Sequence, residues 1–209
     1  MPSLYIITGS NGAGKSTVGP GYLPEEILHH YTVFDGDLLY IRKLGELFPA
    51  ITKSAKYARK DALEYVVDLF EKQTSRALVN LDHYVYEGHF TNDATWEKPK
   101  AFKEAGYRLH LIFFGLENPE LSQFRVTERV TEGGHYVDPQ TLNNNFYGNL
   151  EKLNIYYPLI DDLTIVDTSE INHRILFKTV LHQVEFHIQR KDLPTWFTDY
   201  LPAIVQLFP

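Results

Sequence analysis

The stretch ITGSNGAGKSTVG, residues Ile7–Gly19, is crowded with glycine, serine and threonine and carries a single lysine. Glycine weakens helices and strands, so such a cluster marks a backbone that must turn tightly or approach something closely. Gly9-Ser10-Asn11-Gly12-Ala13-Gly14-Lys15-Ser16 fits the phosphate-loop pattern G-x-x-x-x-G-K-[ST]. It follows directly on LYIIT (Leu4–Thr8), an apolar, β-branched run that reads as a buried strand. That is the context a phosphate loop needs. Glycines let successive N–H groups point at phosphate oxygens, and the following helix adds its positive end. The predicted nucleotide-binding set is Gly9, Ser10, Asn11, Gly12, Ala13, Gly14, Lys15, Ser16 and Thr17. Lys15 is placed to reach the β- and γ-phosphates, Ser16 to ligate Mg²⁺ and Thr17 to contact an α-phosphate. A dinucleotide site would want G-x-G-x-x-G and would leave the lysine without a task.

The other strand candidates follow at intervals. They are YTVFDGD (Tyr31–Asp37), YVYEGHF (Tyr84–Phe90), YRLHLIFFGL (Tyr107–Leu116) and LTIVDTS (Leu163–Ser169). Helical spacing marks Lys53–Asn80, where Ala58, Ala62, Tyr65, Val66, Leu69 and Phe70 share a face, and Ala94–Ala105, closed by Gly106. Asn172–Arg190 reads as a further helix. Strands alternating with helices predict an α/β fold with a five-stranded parallel sheet between helical layers. The segment 119–160 holds two helical stretches and no strand, so it reads as a helical lid. Residues 191–209 are aromatic and punctuated by proline, and read as a C-terminal cap or as a surface for an antitoxin-like partner. The 209 residues suit a single domain spanning 1–209.

The net charge of −7 argues against nucleic acid, whose backbone demands an excess of lysine and arginine. The chain has no cysteine, which excludes disulfides and thiolate metal sites. No window approaches the ~20 apolar residues of a membrane span, and MPSLYIITGS lacks the features of a secretion signal. The expected location is the cytoplasm, with no membrane partner.

A phosphate loop gives binding rather than a reaction. In an open parallel sheet, ligands lie beyond the carboxyl ends of the strands. Asp35 and Asp37 end the second strand, Glu87 the third and Asp167 the fifth. Asp37 is placed to accept a hydroxyl proton as an acceptor attacks the γ-phosphoryl group. Glu87 suits a metal-bound water or the acceptor, and His89 and Thr91 suit acceptor binding. The same aspartates also suit a turn that caps the next helix, the more so for Asp35, and His89 equally suits packing. Asp167 is expected to cap a helix or border the base pocket. Arg125 and Arg129 lie four apart, on one helix face, where they could meet the charge of phosphoryl transfer or pair with Glu128 and Glu132. Gly133-Gly134-His135 would form the hinge of the lid. Lys53, Lys56, Arg59 and Lys60 read as a solvated helix face. His182, Glu185 and His187 lack zinc-helix spacing and read as surface residues.

LYIITGSNGAGKST, DGD, YEGHFT, KEAGYRLHLIFF and RVTERVTEGGHYVDP together resemble the zeta-toxin-like P-loop kinases, over Leu4 to about Ser169. The resemblance implies a P-loop kinase-like three-layer sandwich and transfer of phosphate from ATP (or GTP), with Mg²⁺, to a small-molecule hydroxyl. In that family the acceptor is UDP-N-acetylglucosamine and an aspartate after strand two is the base. The resemblance puts Asp37 in that role, Glu87 in the acceptor or metal site, and Arg125 and Arg129 on the phosphates. It also implies an antitoxin-like protein partner. The chain departs from the family at Asp35-Gly36-Asp37 (often Asn-Ala-Asp), at Glu87-Gly88-His89 (often Glu-Thr-Thr) and at Asn143-Asn144-Asn145, where many relatives carry arginines. The alternative expectation is a nucleotide-binding ATPase or regulatory module without acceptor chemistry.

Overall fold

The structure is a computed structural model and describes residues 1–131 and 136–208. Its strands are β1 (Ser3–Gly9), β2 (Phe34–Asp35), β3 (Tyr84–Glu87), β4 (Arg108–Gly115), β5 (Asp162–Asp167), β6 (Arg174–Val180) and β7 (Gln183–His187). The helices are α1 (Lys15–Val18), α2 (Glu25–His30), α3 (Gly36–Leu47), α4 (Ala55–Asn80), α5 (Glu97–Glu104), α6 (Pro119–Thr131), α7 (Pro139–Tyr156), α8 (Thr195–Tyr200) and α9 (Pro202–Val205). Among the described residues the strands form one sheet in the order β2-β3-β1-β4-β5-β6-β7. β2, β3, β1, β4 and β5 run parallel, and β6 and β7 continue the sheet antiparallel.

The expected five-stranded parallel sheet is thus corrected to a seven-stranded mixed one. The error lies in Asn172–Arg190, read as a helix. Leu181 and His182 both adopt positive φ (49° and 64°), which closes a tight hairpin between β6 and β7. Asparagine-glycine would have announced such a turn; leucine-histidine does not. Side chain and backbone hold it instead. Leu181 N donates to Asp162 Oδ1 (2.9 Å) and His182 N to the Asp161 carbonyl (2.9 Å). Leu176 and Phe177 of β6 are fully buried.

β1 lies at the heart of the sheet because its residues suit a strand covered on both faces: Leu4, Ile6 and Ile7 are all fully buried. α4 buries Ala58, Ala62, Val66 and Ala77, while α3 buries no residue and packs on the outside of α4. Within the segment read as a lid, α7 packs against β1 and buries Leu142, Phe146, Leu150 and Leu153. The C-terminal segment adds Trp196, Phe197, Leu201, Ile204 and Phe208 to the core. Trp196 needs Gly115: a Cβ there would lie 2.1 Å from the indole.

Candidate active site

Register builds the rim. Asp35 pairs with Glu87 across β2 and β3, and Ile7, two residues before the loop, also pairs with Glu87. Strand-end carboxylates and phosphate loop therefore share one edge of the sheet. Gly9 leaves β1 at a φ of 137°, so close to β4 that a Cβ would sit 2.1 Å from the Phe114 carbonyl. No other residue fits there, which fixes the start of the loop.

A cleft of ≈ 300 Å³ opens over the loop. Asn11, Gly12, Gly14, Lys15, Ser16 and Thr17 line one wall. Asp35, Asp37, Leu38 and Ile41 from the start of α3, Glu87, and Arg129 with Val137 complete it. Lys15 is buried and curled back, its Nζ donating to the carbonyls of Gly9 (3.2 Å) and Ser10 (3.0 Å). Burial pulls its pKa down, against the opposing pull of Glu87 and Asp37. Ser16 Oγ donates to Glu87 Oε1 at 3.0 Å. Burial raises the Glu87 pKa, and Lys15 opposes that rise. Asp35 caps α3, accepting from Leu38 N at 2.9 Å, which is the helix-capping alternative for that residue.

The two arginines part company. Arg125 donates to the carbonyls of Thr168 (2.7 Å), Ser169 (2.8 Å) and Gly12 (3.5 Å), tying α6 to the loop and to the end of β5. Ser122 Oγ adds a bond to the Asn11 carbonyl at 2.7 Å. Arg129, one turn on, lines the cleft. Gly133, Gly134 and His135, expected as a hinge, lie outside the described residues.

His89 stands behind the loop rather than in the cleft. Asn149, buried on α7, accepts from Phe90 N (2.6 Å) and Thr8 Oγ1 (3.2 Å), which sets its amide so that Nδ2 faces His89 Nδ1 at 3.2 Å. On the other side of the ring, Asn11 Nδ2 lies 3.4 Å from His89 Nε2, so amide groups of Asn149 and Asn11 flank both ring nitrogens. Burial first, then the charge of Lys15, hold the His89 pKa well below the ordinary imidazole value. Asn145 Nδ2 donates to Asn11 Oδ1 at 2.8 Å. The asparagines of α7 thus brace the phosphate loop. Their four-residue spacing on a helix was the available signal for Asn149, which sequence reasoning missed. Thr91 packs against Gly148 and does not line this cleft. Asp167 caps no helix. Its Oδ1 accepts from Ser169 N (3.1 Å) and Oγ (2.6 Å), and it lines a polar cavity of ≈ 360 Å³ with Glu117, Glu170 and Arg174.

Sheet order, loop and rim define a P-loop protein of kinase-like architecture. The zeta toxin family model matches residues 1–174, and the chain belongs to that family. A solved chain from the PezAT chromosomal toxin-antitoxin system of Streptococcus pneumoniae superposes with a TM-score of 0.63 at 20% identity, covering 100% of this chain and 78% of that one. The AvrRxo1-ORF1:AvrRxo1-ORF2 structure with sulphate ions gives 0.69 at 14% identity, over 96% of this chain and 64% of that one. A further structure of the AvrRxo1 pair is described as holding ATP. Identities this low speak for a shared fold. No protein of curated function matches the sequence. Among the described residues no helix is long and apolar enough to cross a membrane.

Proposed function

We propose that the chain is an ATP-dependent phosphotransferase that moves the γ-phosphoryl group to a hydroxyl of a small molecule. One observation carries the reading: Lys15, Ser16, Asp37, Glu87 and Arg129 line a single cleft over the phosphate loop. The triphosphate lies along the loop amides and the N-terminus of α1. Lys15 leaves the Gly9 and Ser10 carbonyls for the β- and γ-phosphates, whose charge favours its protonated form. Asp37 takes the proton as the acceptor oxygen bonds to the γ-phosphorus. The bond to the β–γ bridging oxygen breaks, and ADP departs. Arg129 faces the charge spread over the transferring group. The nucleobase takes the polar cavity bordered by Asp167.

The donor set also fits Mg²⁺, a hard cation that prefers oxygen: Ser16 Oγ and Glu87 would hold it, with Asp35 on the same rim. When bound, the metal would offset the negative charge of the phosphates.

Labelled ATP incubated with a panel of hydroxyl compounds, nucleotide sugars among them, tests the reading. Wild type should label an acceptor and Asp37→Asn should not. Equal labelling by both proteins would remove Asp37 as the base. The second reading, ATP turnover without an acceptor, draws on one observation: the guanidinium of Arg125 is committed to backbone carbonyls rather than to the cleft. It expects ATP hydrolysis indifferent to every acceptor. The resemblance to toxin-antitoxin systems suggests a neutralising protein partner, which co-expression with the adjacent gene would reveal.

A further inference from the structure

Beside the nucleotide cleft lies a second cavity of ≈ 470 Å³, and Glu87 lines both. Rings build much of its wall. Phe70 lies 5.1 Å from Phe34 and 5.4 Å from Tyr86, and Tyr86 lies 5.7 Å from Phe90, centroid to centroid. Val66 and Val67 of α4 add aliphatic surface. The volume falls in the range of small-molecule sites, about 300–1,000 Å³.

Two features show what it would take. The hydroxyl of Tyr86 is buried and, among the described residues, has no hydrogen-bond partner. Unpaired buried polar groups are costly; this hydroxyl has almost no accessible surface in the empty cavity, so a ligand that turns the ring enough to reach it removes that cost. Burial holds this phenol well above its ordinary pKa, so it is a donor as well as an acceptor. The charged residues of the wall are Glu71, Glu87, Glu97 and Lys98, and Lys98 is paired with Glu71 at 2.5 Å. His89, also in the wall, is neutral for the reasons given above. No arginine lines the cavity among the described residues. A phosphate brought here would meet carboxylates and no free cation.

We propose that this cavity holds the acceptor and selects an uncharged, ring-bearing alcohol, with its ring among Phe34, Phe70, Tyr86 and Phe90, its polar edge on the Tyr86 hydroxyl, and its reacting hydroxyl directed past Glu87 towards Asp37. It excludes nucleotide sugars. This rests on the kinase reading and gives it a substrate class.

A matched set varies the charge and keeps the ring: uridine and adenosine, with their monophosphates and UDP-N-acetylglucosamine, within a wider panel of uncharged aromatic alcohols. Binding is read by calorimetry and transfer by label from ATP. The uncharged compounds should bind at least about tenfold more tightly than their phosphorylated counterparts, a difference of ~1.4 kcal/mol. Tyr86→Phe, which deletes only an unpartnered hydroxyl, should fold as well as wild type and raise KM for the uncharged acceptor about five- to tenfold with kcat little changed. Val67→Lys, at a half-exposed position, should narrow the preference by adding a cation to the wall. Binding of uncharged alcohols without transfer sinks the kinase reading and keeps this assignment of the cavity. Transfer to a phosphorylated compound in preference to its uncharged parent keeps the kinase reading and overturns the assignment. So does an unchanged KM in Tyr86→Phe, or failure of every uncharged compound to bind.

Discussion

On one side of Glu87 the walls are backbone and charge; on the other they are rings. The nucleotide cleft takes six of its lining residues from one continuous loop, and its groups suit any triphosphate. The aromatic cavity draws on β2, α4, β3, the segment after it and α5, and only the short run Tyr86–Phe90 is contiguous. The contrast separates what is general from what is particular. A donor site needs oriented N–H groups, a lysine and a carboxylate, and local sequence can encode these. An acceptor site needs a shape, and shape is assembled by packing between distant segments.

The sharpest way to break the contrast is to disable the donor side alone. Lys15→Ala and Asp37→Asn should lower phosphoryl transfer about a hundred- to ten-thousandfold. Neither should move the binding of an acceptor measured without ATP. Loss of acceptor binding in either variant would show that the two sites are one.

Next comes the split between the arginines. Arg129→Ala should slow transfer about a hundredfold with an unchanged melting temperature. Arg125→Ala, which strands the carbonyls of Thr168 and Ser169, should cost about 2 kcal/mol of stability, read as a lowered urea midpoint. The reverse pattern would exchange their roles.

Asn149 joins both sides, through Gly9 and His89. Asn149→Leu leaves Phe90 N without its 2.6 Å acceptor and frees His89. We expect a loss of about 1–3 kcal/mol in chemical denaturation, with weaker binding of nucleotide and acceptor alike. If only one affinity changes, the brace serves one site.

The smallest effect on transfer lies at the far end of the sheet, away from both sites. Burial lowers the His110 pKa to about 4, although Nδ1 lies 2.8 Å from Asp162. Nε2 is buried without a partner, so a second proton there would go unsatisfied. Between the ordinary imidazole value near 6.5 and about 4, the unfolded chain gains a proton the folded one refuses. Stability should fall as pH drops through that window, by up to ~3 kcal/mol from this group. His110→Phe should flatten the fall in melting temperature and leave transfer at neutral pH intact.

The same division governs what was legible in the sequence. The loop, the strands that feed it and the rim position of Asp37 and Glu87 follow from local pattern, since each depends on neighbours within a few residues. Arg125 and Arg129 share a helix face, yet only tertiary packing decides that one meets the phosphate loop and the end of β5 and the other the cleft. The β6–β7 hairpin escaped because its turn relies on Asp161 and Asp162, about twenty residues upstream, rather than on its own residues. The asparagines at 143–145 looked like an absence of charge, whereas Asn145 is a hydrogen-bonded support for the loop.

Trp196, lodged where Gly115 has no side chain, has a consequence for synthesis. A ribosome makes the phosphate loop and β4 first, at about 5–20 residues per second, and the indole only about eighty residues after Gly115. Until Trp196 emerges, the face of β4 it covers stays open to water and to other chains. A nascent chain halted short of it should therefore behave as a chaperone client rather than an enzyme, however complete its loop.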